Sequence, residues 1–186
     1  MPTPPQPQPA AEKRGHAIRE IAVTVILAVV LFWVIQTFVA QTFRVEGQSM
    51  DTTLADGQHL LIDKISPRFL PYSRGDIVVL HAPESEHTDT PFIKRVIGVA
   101  GDHVEIKGGK VYVNGEALDE PYVHAGATTS PTGGGTEWDI DAGHVLVMGD
   151  NRPHSEDGRA FGEIPTDAIV GRALIRFWPI DTLHLF

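Results

Sequence analysis

The sequence predicts a mainly β protein, an antiparallel sheet or partly closed barrel carried behind one N-terminal transmembrane helix. Three observations predict it. Short β-branched runs separated by turn residues fill the chain after residue 40. No helix-period pattern falls between those runs, which argues against parallel βαβ units. Before residue 40 lies one uncharged apolar stretch long enough to cross a bilayer.

The N-terminus comes first. Five prolines interleaved with Gln and Thr in residues 1–10 cannot build a core, so residues 1–17 are expected to form a disordered cytoplasmic tail. From Ile21 to Ile35 there is no charge and one hydroxyl, Thr24; Gln36 and Thr37 then interrupt before Phe38, Val39 and Ala40. About 20 helical residues at 1.5 Å each span roughly 30 Å, so residues 18–40 read as an anchor. Lys13, Arg14 and Arg19 precede it, and only Arg44 lies in the twenty residues after it. The positive-inside rule therefore keeps the N-terminus cytoplasmic and exports residues 41–186 across the cell membrane in a single pass. A cleaved leader is the competing reading, but cleavage after Ala40 puts Phe38 where a small residue is required at −3. A core helix would show a polar face, which this stretch lacks.

In the exported part the expected strands are Phe43–Val45, Leu60–Ile62, Ile77–Leu80, Phe92–Val99, Val104–Ile106, Val111–Val113, Val145–Met148 and Ala168–Phe177. Arg74-Gly75-Asp76, Gly108-Gly109 and Asn114-Gly115 are the turn signals between them. Val104–Val113 reads as a hairpin closed by the two glycines. Residues 81–91 and 124–138 read as loop insertions.

Composition narrows the function. Residues 41–186 hold 12 Lys plus Arg against 22 Asp plus Glu, a net charge of −10 that repels a phosphate backbone and argues against nucleic-acid binding. The absence of cysteine excludes disulfides, thiolate metal sites and a cysteine nucleophile. Nine histidines form no His-x-x-x-His or similar ligand spacing, so no metal or other cofactor is expected. An oligomeric state is not set by these residues.

Three places could carry chemistry, each with a plain alternative. Ser49, in Gly47-Gln48-Ser49-Met50, follows a short strand and is either a turn residue or a nucleophile held near the membrane surface. A Ser-His-Asp triad is not excluded by counting, but no Gly-x-Ser-x-Gly elbow is present. Lys94 alternates with Phe92 and Val96 on one strand face, Ile93, Arg95 and Ile97 on the other. It is either a solvated lysine at a sheet edge or a buried one forced neutral by desolvation. Gly149-Asp150-Asn151-Arg152 with Ser155, Asp157 and Arg159 is either turn chemistry with a surface ion pair or part of a site.

In this order, behind an anchor, these motifs together resemble the type I signal peptidases. The resemblance rests on Gly47-Gln48-Ser49-Met50, Arg74-Gly75-Asp76, Lys94-Arg95-Val96-Ile97-Gly98 with Gly101-Asp102, and Gly149-Asp150-Asn151-Arg152, and it covers the chain from the anchor to Phe186. It implies a membrane-bound serine endopeptidase of secretory preproteins, with Ser49 as nucleophile and Lys94 as general base. It implies that Ser155 hydrogen-bonds the lysine, that Asp157 and Arg159 support that corner, and that the Ser49 N–H holds the oxyanion. Phe43, Val45, Met50 and Ile93 would line shallow pockets for small side chains at −1 and −3. Two positions depart from the family: Thr52 replaces a proline, and Gly158 replaces a serine. The neighbouring alternatives are a self-cleaving Ser-Lys peptidase and a non-catalytic, membrane-tethered peptide-binding β domain.

Overall fold

The structure is a computed structural model that describes residues 10–86, 88, 90–133 and 135–186. The chain divides into two units, Met1–Val39 and Ala40–Phe186.

The first unit is helical. Helix α1 covers Ala10–Val34 and passes into a π-helical turn at Ile35–Val39, where Gln36 and Thr37 interrupt the apolar run. The helix thus begins before residue 18, inside the segment expected to be a tail; residues 1–9 of that expected tail lie outside the described residues. Ile18–Val39, 22 residues, is long and apolar enough to cross a membrane. Its large side chains, Ile21, Leu27, Phe32 and Trp33 among them, are exposed rather than packed into a protein core.

The second unit is mainly β, as the alternation requires. Its strands are β1 (Ala40–Arg44), β2 (His59–Asp63), β3 (Ile77–Leu80), β4 (Phe92–Val99), β5 (His103–Lys107), β6 (Lys110–Val113), β7 (Glu116–Ala117), β8 (Glu137–Asp139), β9 (His144–Met148), β10 (Ile164–Pro165), β11 (Ile169–Trp178) and β12 (His184–Leu185). A curled antiparallel sheet runs β1-β2-β11-β3-β4-β9-β10, with β12 added to β11. A smaller sheet runs β7-β6-β5-β8. Every expected strand is present, with ends moved by up to three residues.

The expected hairpin forms between β5 and β6, with Lys107 opposite Lys110. Gly108 and Gly109 both take positive φ, 59° and 78°, the twist a two-residue turn needs to match its strands. The 124–138 loop is cut short by β8, which pairs Trp138 with Val104. Three apolar clusters hold the unit together. One, under β1, β2 and β3, contains Val45, Met50, Leu60, Ile62, Ile77 and Ile93. Another, containing Val78, Val96 and Val147, lies on the other face of the large sheet, and the third joins Ile97 and Met148 to the small sheet.

Strand β4 decides where the chemistry can sit. It is an interior strand, flanked by β3 and β9, and a bulge follows Val96. The sheet-edge reading of Lys94 therefore does not apply. Its strand partner is Val78, so the amine emerges among apolar neighbours.

Candidate active site

Ser49 lies in a tight turn that follows β1 by a few residues. The turn is closed by Asp51 N donating to the Gln48 carbonyl, 3.0 Å, and by Leu54 N donating to the Met50 carbonyl, 2.8 Å. Met50 and Leu54 anchor it from beneath by burying their side chains in the core. Asn151 pins it from the side: its backbone N–H donates to the Ser49 carbonyl, 3.0 Å, and its Nδ2 to the Gln48 carbonyl, 3.0 Å. The Gly-Asp-Asn-Arg segment, read from sequence as turn chemistry or part of a site, thus positions the Ser49 turn. Gly149 is required there, because an ideal Cβ would stand 2.2 Å from Ser155 Oγ and 2.5 Å from the Ser49 carbonyl oxygen. The Ser49 N–H has no hydrogen-bond acceptor among the described residues.

Lys94 Nζ lies 3.0 Å from Ser49 Oγ, across 45 residues of sequence. The lysine is 3% exposed, and its ammonium sits 4.7 Å from the centre of the Phe92 ring. No carboxylate lies within ion-pairing distance of it among the described residues. Burial pushes its pKa down from 10.5 to about 8, against a smaller opposing pull from Asp157 and Glu156. About a tenth of the amine is therefore neutral at pH 7 and about half at pH 8, and a neutral amine beside a hydroxyl can take its proton.

The other carried-over residues divide. Asp157 and Arg159 are 0% and 1% exposed, so the surface ion-pair reading is replaced by a buried, bidentate one with bonds of 2.8 and 2.9 Å. Asp157 Oδ2 also accepts the Gly149 N–H, 2.9 Å, and Arg159 Nη2 donates to the carbonyls of Arg152 and Ser155, 2.7 and 3.1 Å. Ser155 is buried beside them, but its hydroxyl has no hydrogen-bond partner among the described residues. The contact to Lys94 that the resemblance implies is not formed in this structure. Phe43 and Ile93 line the cleft that opens on Ser49 and Lys94, a concavity of about 320 Å³. Val45 and Met50 do not line it; they lie in the core beneath.

Sequence reasoning missed the ionic frame around this cleft. Arg95 Nε and Nη2 grip Asp150 at 2.8 and 2.7 Å, Arg95 Nη1 donates to the Gly75 carbonyl at 2.8 Å, and Thr53 Oγ1 completes the Asp150 carboxylate at 2.5 Å. Arg152 is buried too, donating to Thr129 Oγ1 at 2.6 Å, to the Gly149 carbonyl at 3.0 Å and to Glu120. The signal was there in the adjacency of Arg95 to Lys94 and of Asp150 and Arg152 to Asn151. Among the described residues no three His, Asp or Glu side chains gather as a metal site.

Comparison with known proteins identifies the family. Residues 18–178 match the family model described as "Signal peptidase, peptidase S26". A signal peptidase I from Leptolyngbya laminosa is 40% identical, over 98% of this chain and 92% of that protein. A signal peptidase IB from Staphylococcus aureus is 35% identical, over 88% and 91%. The crystal structure of a signal peptidase I from Enterococcus faecalis is 26% identical, with a TM-score of 0.44 over 54% of this chain and 95% of that one. With a matched model across most of its length and close relatives covering nearly all of it, the chain belongs to the signal peptidase family of serine peptidases, peptidase S26.

Proposed function

We propose that this enzyme removes signal peptides from secretory preproteins with a Ser49–Lys94 dyad. Neutral Lys94 takes the proton from Ser49 Oγ as the oxygen attacks the scissile carbonyl. The resulting ammonium returns that proton to the leaving amine, and an acyl ester on Ser49 remains. Water, deprotonated by the same lysine, then hydrolyses the ester and frees the serine. The Ser49 N–H, which has no acceptor among the described residues, is aimed at the oxyanion in this reading. The scheme uses no histidine, metal or cofactor.

The observation that carries the proposal is the 3.0 Å separation of Lys94 Nζ and Ser49 Oγ, on an amine with no ion-pair partner among the described residues. Asp157 and Arg159 brace the corner from which Lys94 is reached. Ser155 supplies a buried hydroxyl with a free rotor that can turn to the amine once substrate closes the cleft. Phe43 and Ile93 form the wall for small side chains at −1 and −3, and Val45 and Met50 back that wall from the core.

In the same reading residues 18–40 anchor the enzyme, residues 1–17 stay cytoplasmic and residues 41–186 work outside the plasma membrane. The 22-residue apolar helix and the basic residues before it support this topology. The test is cleavage of a separate preprotein by full-length enzyme in lipid vesicles. Ser49→Ala and Lys94→Ala should each lose processing while keeping a folded thermal transition; turnover retained in either variant overturns the dyad.

A further inference from the structure

The cleft does not end at Ser49. A second concavity, also of about 320 Å³, adjoins it and shares Gln48 and His154 with it. The wall between the two is the Gln48–Ser49 backbone that Asn151 holds by two hydrogen bonds of 3.0 Å. Beyond that wall stand Asp51, His124 and Asn151.

The charges around this second space are lopsided. The permanent cation at its floor, Arg152, is consumed by Glu120, Thr129 and the Gly149 carbonyl, and the Asp150 carboxylate is consumed by Arg95. Exposed Asp51 is left, its carboxylate accepting from the Thr52 N–H of its own turn at 2.9 Å. On the dyad side, exposed Glu46 and Glu156 line the first cleft, and neither joins an ion pair with the described residues. A substrate segment crossing from one space to the other meets three free carboxylates and no free permanent cation among the described lining residues.

An apolar wall of Phe43 and Ile93 suits the residues before the scissile bond, so the residues after it must leave past Ser49 on the other side. We infer that the second concavity is the subsite for the first residues of the released protein, and that Asp51 within it, with Glu156 on the dyad side of the shared wall, makes the passage favour cationic over acidic side chains. This rests on the Ser49–Lys94 reading above.

Peptide substrates carrying Lys, Gln or Glu in turn at each of the first three residues after the bond test it, with full-length enzyme in detergent micelles. At low salt, at least one position should show kcat/KM about tenfold higher for Lys than for Glu, the Gln peptide falling between them. At about 0.5 M NaCl the ratio should shrink towards one, as screening predicts. It should also collapse in Asp51→Asn and Glu156→Gln, each ratio being taken within one variant so that any change in overall rate cancels. Equal Lys and Glu rates at every position in the parent enzyme, or a ratio that survives both substitutions, overturns the subsite. Failure to cut even the Gln peptide points instead to the dyad reading, and Ser49→Ala identifies that case.

Discussion

Lys94 and Arg95 are neighbours on one interior strand, both buried, and their surroundings are opposite. Arg95 points to one face of β4 and finds two carboxylate oxygens, a carbonyl, a threonine hydroxyl and the face of Tyr122, 4.0 Å from its guanidinium. Lys94 points to the other face and finds a serine hydroxyl, a phenyl ring and apolar strand neighbours. A cation so fully paired is structural, because nothing can be gained by moving its proton. A cation so poorly paired is held at a cost, and losing its proton relieves that cost. The strand thus uses Arg95 to fix the frame and, in the proposed mechanism, Lys94 to do chemistry.

The contrast breaks most completely at Lys94 itself. Lys94→Arg keeps the charge and places a group that does not deprotonate in the working range where a base is needed. Turnover of a preprotein should fall about 10⁴-fold, measured by product formation over time. On the other face, Asp150→Ala should leave Arg95 buried without its carboxylate. That should cost about 3 to 5 kcal/mol of folding stability in denaturant titration, the penalty of an orphaned buried charge.

Swapping Lys94 for Met sharpens the comparison by removing the strained charge. In the folded chain the lysine titrates at about 8, in the unfolded chain near 10.5. Below pH 8 both states are protonated, and the buried ammonium costs the fold roughly 3 kcal/mol. Between 8 and 10.5 the unfolded chain binds the extra proton, so stability of the parent protein rises with pH across that window. Lys94→Met should therefore be more stable by roughly 3 kcal/mol at pH 7, with the gain fading as pH approaches 10.5. A gain independent of pH would mean the lysine is not buried as a charge. Activity of the parent enzyme should rise about tenfold per pH unit below 8 and level off above it, since only the neutral amine works.

Much of this was legible from residues alone, and what escaped has a physical reason. Strands such as Phe92–Val99 have alternation and β-branching, and they appear where expected. The alternation also put Lys94 on the same face as Phe92. It could not show that the strand is interior, because that depends on β3 and β9, which are distant in sequence. The strands that were missed, Glu116–Ala117, Glu137–Asp139, Ile164–Pro165 and His184–Leu185, run for two or three residues, too short to show a period. Val45 and Met50 were expected at the cleft because the resemblance carries them by position; their burial in the core is a packing outcome that position does not encode. The partners of Arg95 and Arg152 lie 55 and 32 residues away, and sequence has no way to join them.

The two departures from the family show how local backbone decides which residues fit. Thr52, where the family motif implies proline, has φ of +96°, far from the roughly −65° that a proline ring imposes. Its N–H donates to Asp51 Oδ1 at 2.9 Å, and its hydroxyl donates to the Tyr122 carbonyl. Thr52→Pro would lose that N–H bond and force a new path three residues from the nucleophile. It should therefore lower kcat rather than restore a family optimum, as steady-state kinetics would show.

Gly158 is the smaller and cleaner case. A Cβ there would stand 2.7 Å from Leu146 Cδ1 and 2.8 Å from the Val147 carbonyl oxygen. The leucine tip can swing aside, but the carbonyl belongs to interior strand β9 and cannot. The serine that the family motif implies here is thus disfavoured by the close approach of the short helix α2 (Gly158–Phe161) to β9. Gly158→Ser should cost about 1 to 3 kcal/mol, typical of overpacking, read as a shift of the denaturant midpoint at constant m. Asp157 and Arg159 flank the position and Asp157 accepts the Gly149 N–H, so any backbone shift that accommodates the new side chain passes to the Asn151 clamp on Ser49. Loss of stability with kcat unchanged would show that the clamp tolerates the shift; a parallel fall in kcat would show that α2 and the nucleophile turn move as one.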